Sequence, residues 1–216
     1  MRRARAGFAL AALACLAGAA DDAPLYEPPA PGSYELPAIS RVSEHWLLDS
    51  SGAPAPLLGL APGQVALVSF VYRACSDAQG CPLALSVMQR LDGELAALPE
   101  LAARVRLVTA SFDPGHDRPE RMRALREALH PRGDWRFLTA ASSPELAPVL
   151  ADFHQDALAL VGDDAQPTGI VRHVLKVFLV DDAGAIRNIY STGLLDPKLV
   201  LADLRTLAPE GGTPGR

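Results

Sequence analysis

The sequence predicts an α/β domain in which helices flank a central, mixed β-sheet. Two observations support this class. Val65–Val71 is a continuous, mainly apolar run of strand length, which is typical of a strand covered on both faces, and Val105–Ser111 is predicted to be a second buried strand. Each of these segments is followed by one with apolar residues at helical spacing, so strands and helices alternate along the chain.

The helices are predicted from their start signals and their apolar spacing. Pro82, Pro119 and Pro197 each fall in a first helical turn, where a missing N–H is tolerated. Ser143 and Asp196 are of the residue types that cap helices at the N-terminus. The predicted helices cover 81–98, ended by Pro99, then 119–129, 144–153 and 197–207.

Four further strands complete the predicted sheet. They are Trp46–Leu48, Trp135–Leu138, His173–Val180 and Ile186–Tyr190. The turn residues Asp181–Gly184 join the last two as a β-hairpin. Asp163 and Asp164 are assigned to the turn of a hairpin insertion.

This order of elements fits the thioredoxin architecture, a mixed sheet with helices on both faces. In such a sheet the loop after the first central strand lies at the carboxyl edge, where α/β proteins place their chemistry. Cys75 and Cys81 follow Val65–Val71 and therefore lie at that edge.

An export leader is predicted at the N-terminus. Arg2, Arg3 and Arg5 precede an uncharged run at 6–20, as in a secretory signal peptide, and the run is too short to span a membrane. The alternative is a lipoprotein leader, because Leu13-Ala14-Cys15 resembles a lipobox. We therefore expect an exported, periplasmic protein, with Cys15 as the point of membrane attachment if it carries a lipid.

Composition and charge indicate the domain boundaries and the kinds of partner that the chain can have. We assign 1–20 to the leader, 21–40 to a proline-rich linker, 41–208 to the thioredoxin-like domain and 209–216 to a flexible tail. The formal net charge is −5 and no long basic run occurs, which argues against nucleic acid or an anionic membrane surface as the main partner.

Cys75, Cys81 and His173 are the candidate functional residues. Two thiolates and an imidazole form a soft ligand set that suits copper and, less specifically, zinc. The start of a helix at Cys81 is expected to lower the pKa of its thiol. The alternative for the two cysteines is a disulfide, the default for thiols in an oxidising compartment.

Other chemistry-bearing residues are expected to have structural roles. Met88, Met122 and Trp135 stand among apolar residues and are predicted to pack in the core. The remaining histidines are expected to be solvated: His45, His116, His130 and His154.

A group of segments together resembles the Sco/SenC family of copper-handling proteins over roughly residues 41–207. They are Val68–Cys75, Cys81–Ala84, Ser111–Pro114 with Asp117 and Pro119, Trp135–Thr139, and His173 followed by Val177–Asp181. The resemblance implies a thioredoxin-like fold, copper binding through Cys75, Cys81 and His173 in both the Cu(I) and Cu(II) states, and assistance in building the copper centre of cytochrome c oxidase. It also implies subunit II of that oxidase or another cuproprotein as partner, with an upstream copper donor.

The sequence departs from this family between the cysteines. The usual motif has three intervening residues, whereas five stand here, Ser76–Gly80. Gly80 is expected to allow the longer loop to fold back through a positive φ angle, which glycine adopts without steric cost. The acidic residue that usually precedes the second cysteine is displaced, with Asp77 as the nearest candidate.

Three functions from different classes stay open on the sequence. A copper metallochaperone, which binds rather than catalyses, uses all three candidate residues. A thiol-disulfide oxidoreductase would use Cys75 and Cys81 as a redox pair but normally has a tighter Cys-x-x-Cys spacing. A peroxidase of the peroxiredoxin type lacks its expected motif ahead of Cys75. His173 separates the first from the others, because thiol exchange does not require it.

Deletion of residues 1–20 is predicted to leave the domain folded but retained inside the cell. The leader supplies the export signal and no part of the predicted core. Fractionation of cells expressing the full and the shortened chain tests this. Equal amounts of both chains outside the cytoplasm would contradict the leader assignment.

Overall fold

The computed structural model describes residues 27–72, 74–75, 77–162 and 167–209. The leader therefore lies outside the described residues, as do the tip of the hairpin insertion at 163–166 and the tail from 210 onwards. Within the described part of the chain, no helix is both long enough and apolar enough to cross a membrane.

The strands form one large sheet and one separate hairpin. They are β1 Ser40–Arg41, β2 Trp46–Asp49, β3 Pro54–Pro56, β4 Val65–Val71, β5 Val105–Ser111, β6 Trp135–Thr139, β7 Ala157–Val161, β8 Pro167–His173, β9 Val177–Asp181 and β10 Ala185–Tyr190. The order in the large sheet is β1-β10-β9-β4-β5-β6-β2-β3. β4 pairs in parallel with β5 and antiparallel with β9, so the sheet is mixed, as predicted.

Helices cover both faces of this sheet. They are α1 Cys81–Leu95, α2 Pro99–Ala102, α3 Pro119–Leu129, α4 Ser143–Asp152 and α5 Pro197–Leu207. The first helix ends three residues earlier than predicted, at 95 instead of 98. Pro99 begins a short second helix instead of merely stopping the first, because proline is well suited to a first helical turn.

Side chains alternate from β4 into two hydrophobic layers. Leu67 packs with α1, α3 and α5 on one face, whereas Phe70 packs on the other face with α4 and the rings of Phe153 and Phe178. Every residue of β4 is buried. This double coverage confirms the central, mixed sheet with helices on both sides and a thioredoxin-like α/β fold.

The predicted strand His173–Val180 is wrong as a single element. His173 is the last residue of β8, and the central sheet resumes only at Val177 in β9. β8 pairs with β7 in the separate hairpin, so the chain leaves one sheet and enters another between these residues. Val174 and Leu175 are both apolar strand formers, and the sequence therefore gives no sign of the break.

The segment before β1 packs against the domain. Leu36 is buried in the same layer as α5, and the hydroxyl of Tyr34 donates to Asp203 Oδ1 at 2.5 Å. Asp203 is buried and also accepts from Asn188 and Tyr190. The second half of the proline-rich stretch 21–40 therefore contributes contacts to the folded unit.

Tyr34→Phe is predicted to lower the free energy of unfolding by about 1–2 kcal/mol, because it removes one donor from a buried carboxylate. Ser33→Ala is the matched control, since the Ser33 hydroxyl bonds only to the nearby exposed carbonyl of Ala30. Urea denaturation of both variants measures the difference. Equal stability of the two would show that the bond from Tyr34 to Asp203 does not contribute to folding.

Candidate metal centre

Three separate elements bring the candidate residues together. Cys75 lies in the loop that follows β4, Cys81 is the first residue of α1 and His173 is the last residue of β8. Their ligand atoms all lie within 4.8 Å of one another, and Cys81 Sγ is 3.8 Å from His173 Nε2. Both cysteines are free thiols. Within the described residues this cluster could hold a metal ion.

Tight turns stand on both sides of the loop between the cysteines. Cys75 N donates to Tyr72 O at 3.2 Å just before the loop, and Gly80 N donates to Asp77 O at 3.0 Å at its end. The Asp77 carboxylate accepts from Gln79 N. The second turn leads directly into α1, which begins at Cys81.

The expectation of a positive φ at Gly80 is wrong, because its φ angle is −99°. The constraint on this position is space. A Cβ atom placed on Gly80 would lie 3.3 Å from both Cys75 Sγ and the carbonyl oxygen of Asp77. The close approach of the Cys75 sulfur and the Asp77 carbonyl therefore disfavours a side chain at this position.

The Cys81 thiol is buried, and its environment opposes ionisation. Removal from water raises its pKa to about 12, with a further increase from Cys75 and an opposing hydrogen bond from the backbone of Tyr72. The expected depression of this pKa at the helix N-terminus is therefore wrong for the metal-free protein. Desolvation of a thiolate outweighs the partial positive charge of the helix end. Cys75 is more exposed than Cys81.

His173 is held between aromatic rings. Its imidazole centre lies 4.6 Å from that of Phe112 and 5.8 Å from that of Tyr72, the latter at an interplanar angle of 88°. Burial lowers the pKa of His173, and the backbone of Val174 and the charge of Asp77 oppose that change. Its Nδ1 atom is buried without a hydrogen-bond partner among the described residues. The ring is therefore mainly neutral near pH 7, which is the form that ligates metals.

An apolar cleft continues from the two thiols towards α3. Its lining side chains are Val71, Tyr72, Cys75, Cys81, Pro82, Leu85, Asp117, Arg121, Met122 and Leu125. Both sulfurs therefore line a mainly apolar opening, and Cys75 is the more exposed of the two. Two thiols at such an opening suit either a soft metal ion or exchange with an incoming thiol.

The structure places the residues for which structural or solvated roles were predicted. Met88, Met122 and Trp135 are buried in the core, as expected. The expectation of a solvated His45 is wrong, because its Nε2 lies 2.9 Å from Asp152 Oδ2 and its side chain is 16% exposed. The partner lies 107 residues away, so no local pattern could have indicated this pair. It lies outside the cluster of thiols and imidazole.

The fold and the cluster define a thioredoxin-like protein with a two-cysteine, one-histidine centre. The SCO1/SenC family model matches residues 45–209. The chain belongs to the SCO1/SenC family. A sequence search of curated proteins gives no match.

Solved structures of similar fold carry the same family name. Apo Sco1 from Thermus thermophilus is 25% identical, with a TM-score of 0.62, covering 83% of this chain and 98% of its own. A SCO1/SenC family lipoprotein from Bacillus anthracis is 22% identical, with a TM-score of 0.62 and coverage of 78% and 95%. ScoI from Bradyrhizobium japonicum, solved with copper bound, is 20% identical, with a TM-score of 0.56 and coverage of 76% and 98%.

Cys81 is predicted to react with iodoacetamide at least tenfold more slowly than Cys75 at pH 8. Its thiol is buried and its pKa is raised to about 12, so the reactive thiolate is scarce and its fraction grows about tenfold per pH unit below that value. Mass spectrometry of Cys75→Ser and Cys81→Ser, each with one thiol in the domain, measures the two rates. Equal rates are expected only after unfolding in urea. Equal rates in the folded chains would contradict a buried Cys81 thiol with a raised pKa.

Gly80→Ala is predicted to displace Cys75 and to weaken metal binding at the cluster, because the added Cβ would meet Cys75 Sγ at 3.3 Å. Gly93→Ala is the matched control on α1, since the nearest atom to its Cβ would be Arg132 Nη1 at 3.9 Å. Metal content after desalting is compared for the two variants. Unchanged binding by Gly80→Ala would show that the loop accommodates a side chain at this position.

Proposed function

We propose that this protein is an exported copper metallochaperone, which binds copper through Cys75, Cys81 and His173 and assists assembly of the copper centre of cytochrome c oxidase. The observation that carries the proposal is the convergence of the three ligand atoms within 4.8 Å from three distant elements. Copper bound to the related ScoI from Bradyrhizobium japonicum supports the choice of metal.

The donor set fits copper as a cargo. Two thiolates favour Cu(I), and an added imidazole makes Cu(II) tolerable. A site with three protein ligands leaves one coordination position of the copper ion open. A ligand from the partner could bind there before the bonds from copper to this protein break. Cys75, as the more exposed thiol, is the side from which such an exchange would begin.

Subunit II of the oxidase, or another cuproprotein, is the proposed recipient, with an upstream protein as the copper donor. The proposed location is the periplasm, with Cys15 as a lipid anchor where the lipobox is used. The relationship to a SCO1/SenC lipoprotein from Bacillus anthracis supports an anchored form.

Thiol-disulfide exchange is the second candidate function. The same geometry supports it, because the sulfurs of Cys75 and Cys81 lie within 4.8 Å and both cysteines are free. A modest movement of the loop would bring them to the distance of a disulfide bond. In this role the protein would reduce cysteines of the oxidase or of another exported protein before metal insertion.

Anaerobic titration of the reduced domain with Cu(I) and Cu(II) separates the two functions. We expect one copper ion per chain, loss of tight binding in Cys75→Ser and Cys81→Ser, and an affinity of His173→Ala that falls about tenfold or more for Cu(II) but less for Cu(I). The thiolate-to-copper charge-transfer band should also change in His173→Ala.

His116→Ala is the control for this titration. His116 is exposed and bonded to Asp113, so its removal should leave copper binding unaltered. Unchanged copper retention in either cysteine variant would refute the ligand assignment. No tight copper binding, together with a reversible disulfide between Cys75 and Cys81, would instead favour the oxidoreductase.

A further inference from the structure

The position of His173 is not fixed by the central sheet. The residue ends β8, which pairs with β7 in the separate hairpin. Residues 174–176, which lead from it to β9, belong to neither sheet. A two-stranded hairpin is only marginally stable by itself. The imidazole therefore depends on side-chain contacts to keep its place beside the thiols.

One face of the hairpin packs against the core, and His173 lies on that face. Ala157 is the cross-strand partner of His173, and Val171 stands two residues before it on β8, so the three side chains share a face. Ala157 and Val171 are partly buried against the hydrophobic layer that contains Phe70. The imidazole is therefore directed from the hairpin towards the body of the domain.

The imidazole lacks the hydrogen bond that usually orients a ligating histidine. In most metal sites the second ring nitrogen donates to a carboxylate, a backbone carbonyl or a water molecule. In His173 the nitrogen nearest to a thiol is Nε2, 3.8 Å from Cys81 Sγ, and Nδ1 is buried without a partner among the described residues. Within that part of the chain, the ring is held by packing instead.

Tyr72, Phe112 and His173 form a cluster of three rings in mutual contact. The centre of the Phe112 ring lies 4.6 Å from that of His173 and 5.3 Å from that of Tyr72, and both distances are typical of favourable aromatic pairs. The Phe112 ring and the imidazole are inclined by 56°. Phe112 is buried, so its ring has little room to move away from the imidazole.

The backbone of Phe112 is fixed at the end of β5. Its N–H donates to Val71 O at 3.0 Å, which extends the pairing of β4 with β5 by one residue. Asp113 N, the next along the chain, donates to Ser111 Oγ at 3.0 Å, and the Ser111 hydroxyl donates to the buried carboxylate of Asp117. The Phe112 ring therefore connects the imidazole to a rigid part of the central sheet.

We propose that Phe112 is a positioning residue for His173: its ring holds the imidazole in the place from which Nε2 faces the thiols, a task that a hydrogen bond to Nδ1 usually performs. Among the described residues, those that line the cleft at the thiols do not include Phe112. The proposal rests on the proposed function only in that His173 is taken as a copper ligand.

The deciding measurement is made on the metal-free, reduced domain. Nuclear Overhauser effects (NOEs) between the ring protons of His173 and the β protons of Cys81 report whether the imidazole lies against the thiol. We expect these NOEs in the wild type and their loss in Phe112→Leu. NOEs of wild-type strength in folded Phe112→Leu, or none in the wild type, would overturn the proposal. Phe112→Met, with a flexible apolar side chain, takes its place if the leucine variant does not fold.

Phe137→Leu is the matched control. Phe137 is also buried and packs on another ring, that of Trp135, with the ring centres 4.9 Å apart. It lies in the other hydrophobic layer, across the sheet from Phe112. The same atoms are lost from the core, so the NOEs between His173 and Cys81 should keep their wild-type strength. A loss as large as that in Phe112→Leu would also overturn the proposal, because any loosening of the core would then displace the imidazole.

Copper binding provides a second readout that is separate from the first. In Phe112→Leu we expect the affinity for Cu(II) to fall about tenfold or more, as when a ligating histidine loses its orienting partner. The affinity for Cu(I) should change less than about threefold, because thiolates dominate that state. An equal fall for both ions would contradict a role confined to His173. If the wild-type protein binds no copper, the proposed function fails, whereas the NOE measurement still decides the role of Phe112.

Discussion

The central position of β4 determines where the chemistry of this protein can lie. β4 is buried along its whole length and pairs antiparallel with β9, with Ser69 opposite Val177. Antiparallel pairing places the end of one strand beside the start of the other. The loop that leaves β4 with Cys75 and the segment that enters β9 after His173 must therefore meet at one edge of the sheet, and α1 starts there with Cys81.

Much of this arrangement follows from local sequence patterns. The apolar run of β4 identifies a covered strand, and the prolines with Asp196 place the helix starts within a residue or two. The cap of α4 is Ser142, one residue before the predicted Ser143. Because both cysteines follow a central strand, their location at the carboxyl edge is also predictable. The candidate set of Cys75, Cys81 and His173 is indicated by its soft donor atoms and by the family resemblance, and the family model matches residues 45–209.

The features that could not be predicted are those set by distant parts of the chain. The break between β8 and β9 falls inside an apolar run, so only the pairing of β8 with β7 reveals it. The bond of Tyr34 to Asp203 joins residues 169 positions apart. The pKa of Cys81 depends on how deeply α1 packs, which no helix-start signal reports. At Gly80 the expected positive φ is absent, and a side chain is disfavoured instead by the close packing of the Cys75 sulfur.

Desolvation at Cys81 and His173 has a consequence for the metal-free state. It raises the pKa of the Cys81 thiol and lowers that of the His173 imidazole, so the uncharged form of each group is favoured, because a lone charge in such surroundings is costly. Under the proposed function, a bound soft cation would reverse this preference, because the thiols would ligate it as thiolates and release their protons. Exchange with a partner would then begin at Cys75, the more exposed of the two thiols, while Cys81 stays buried.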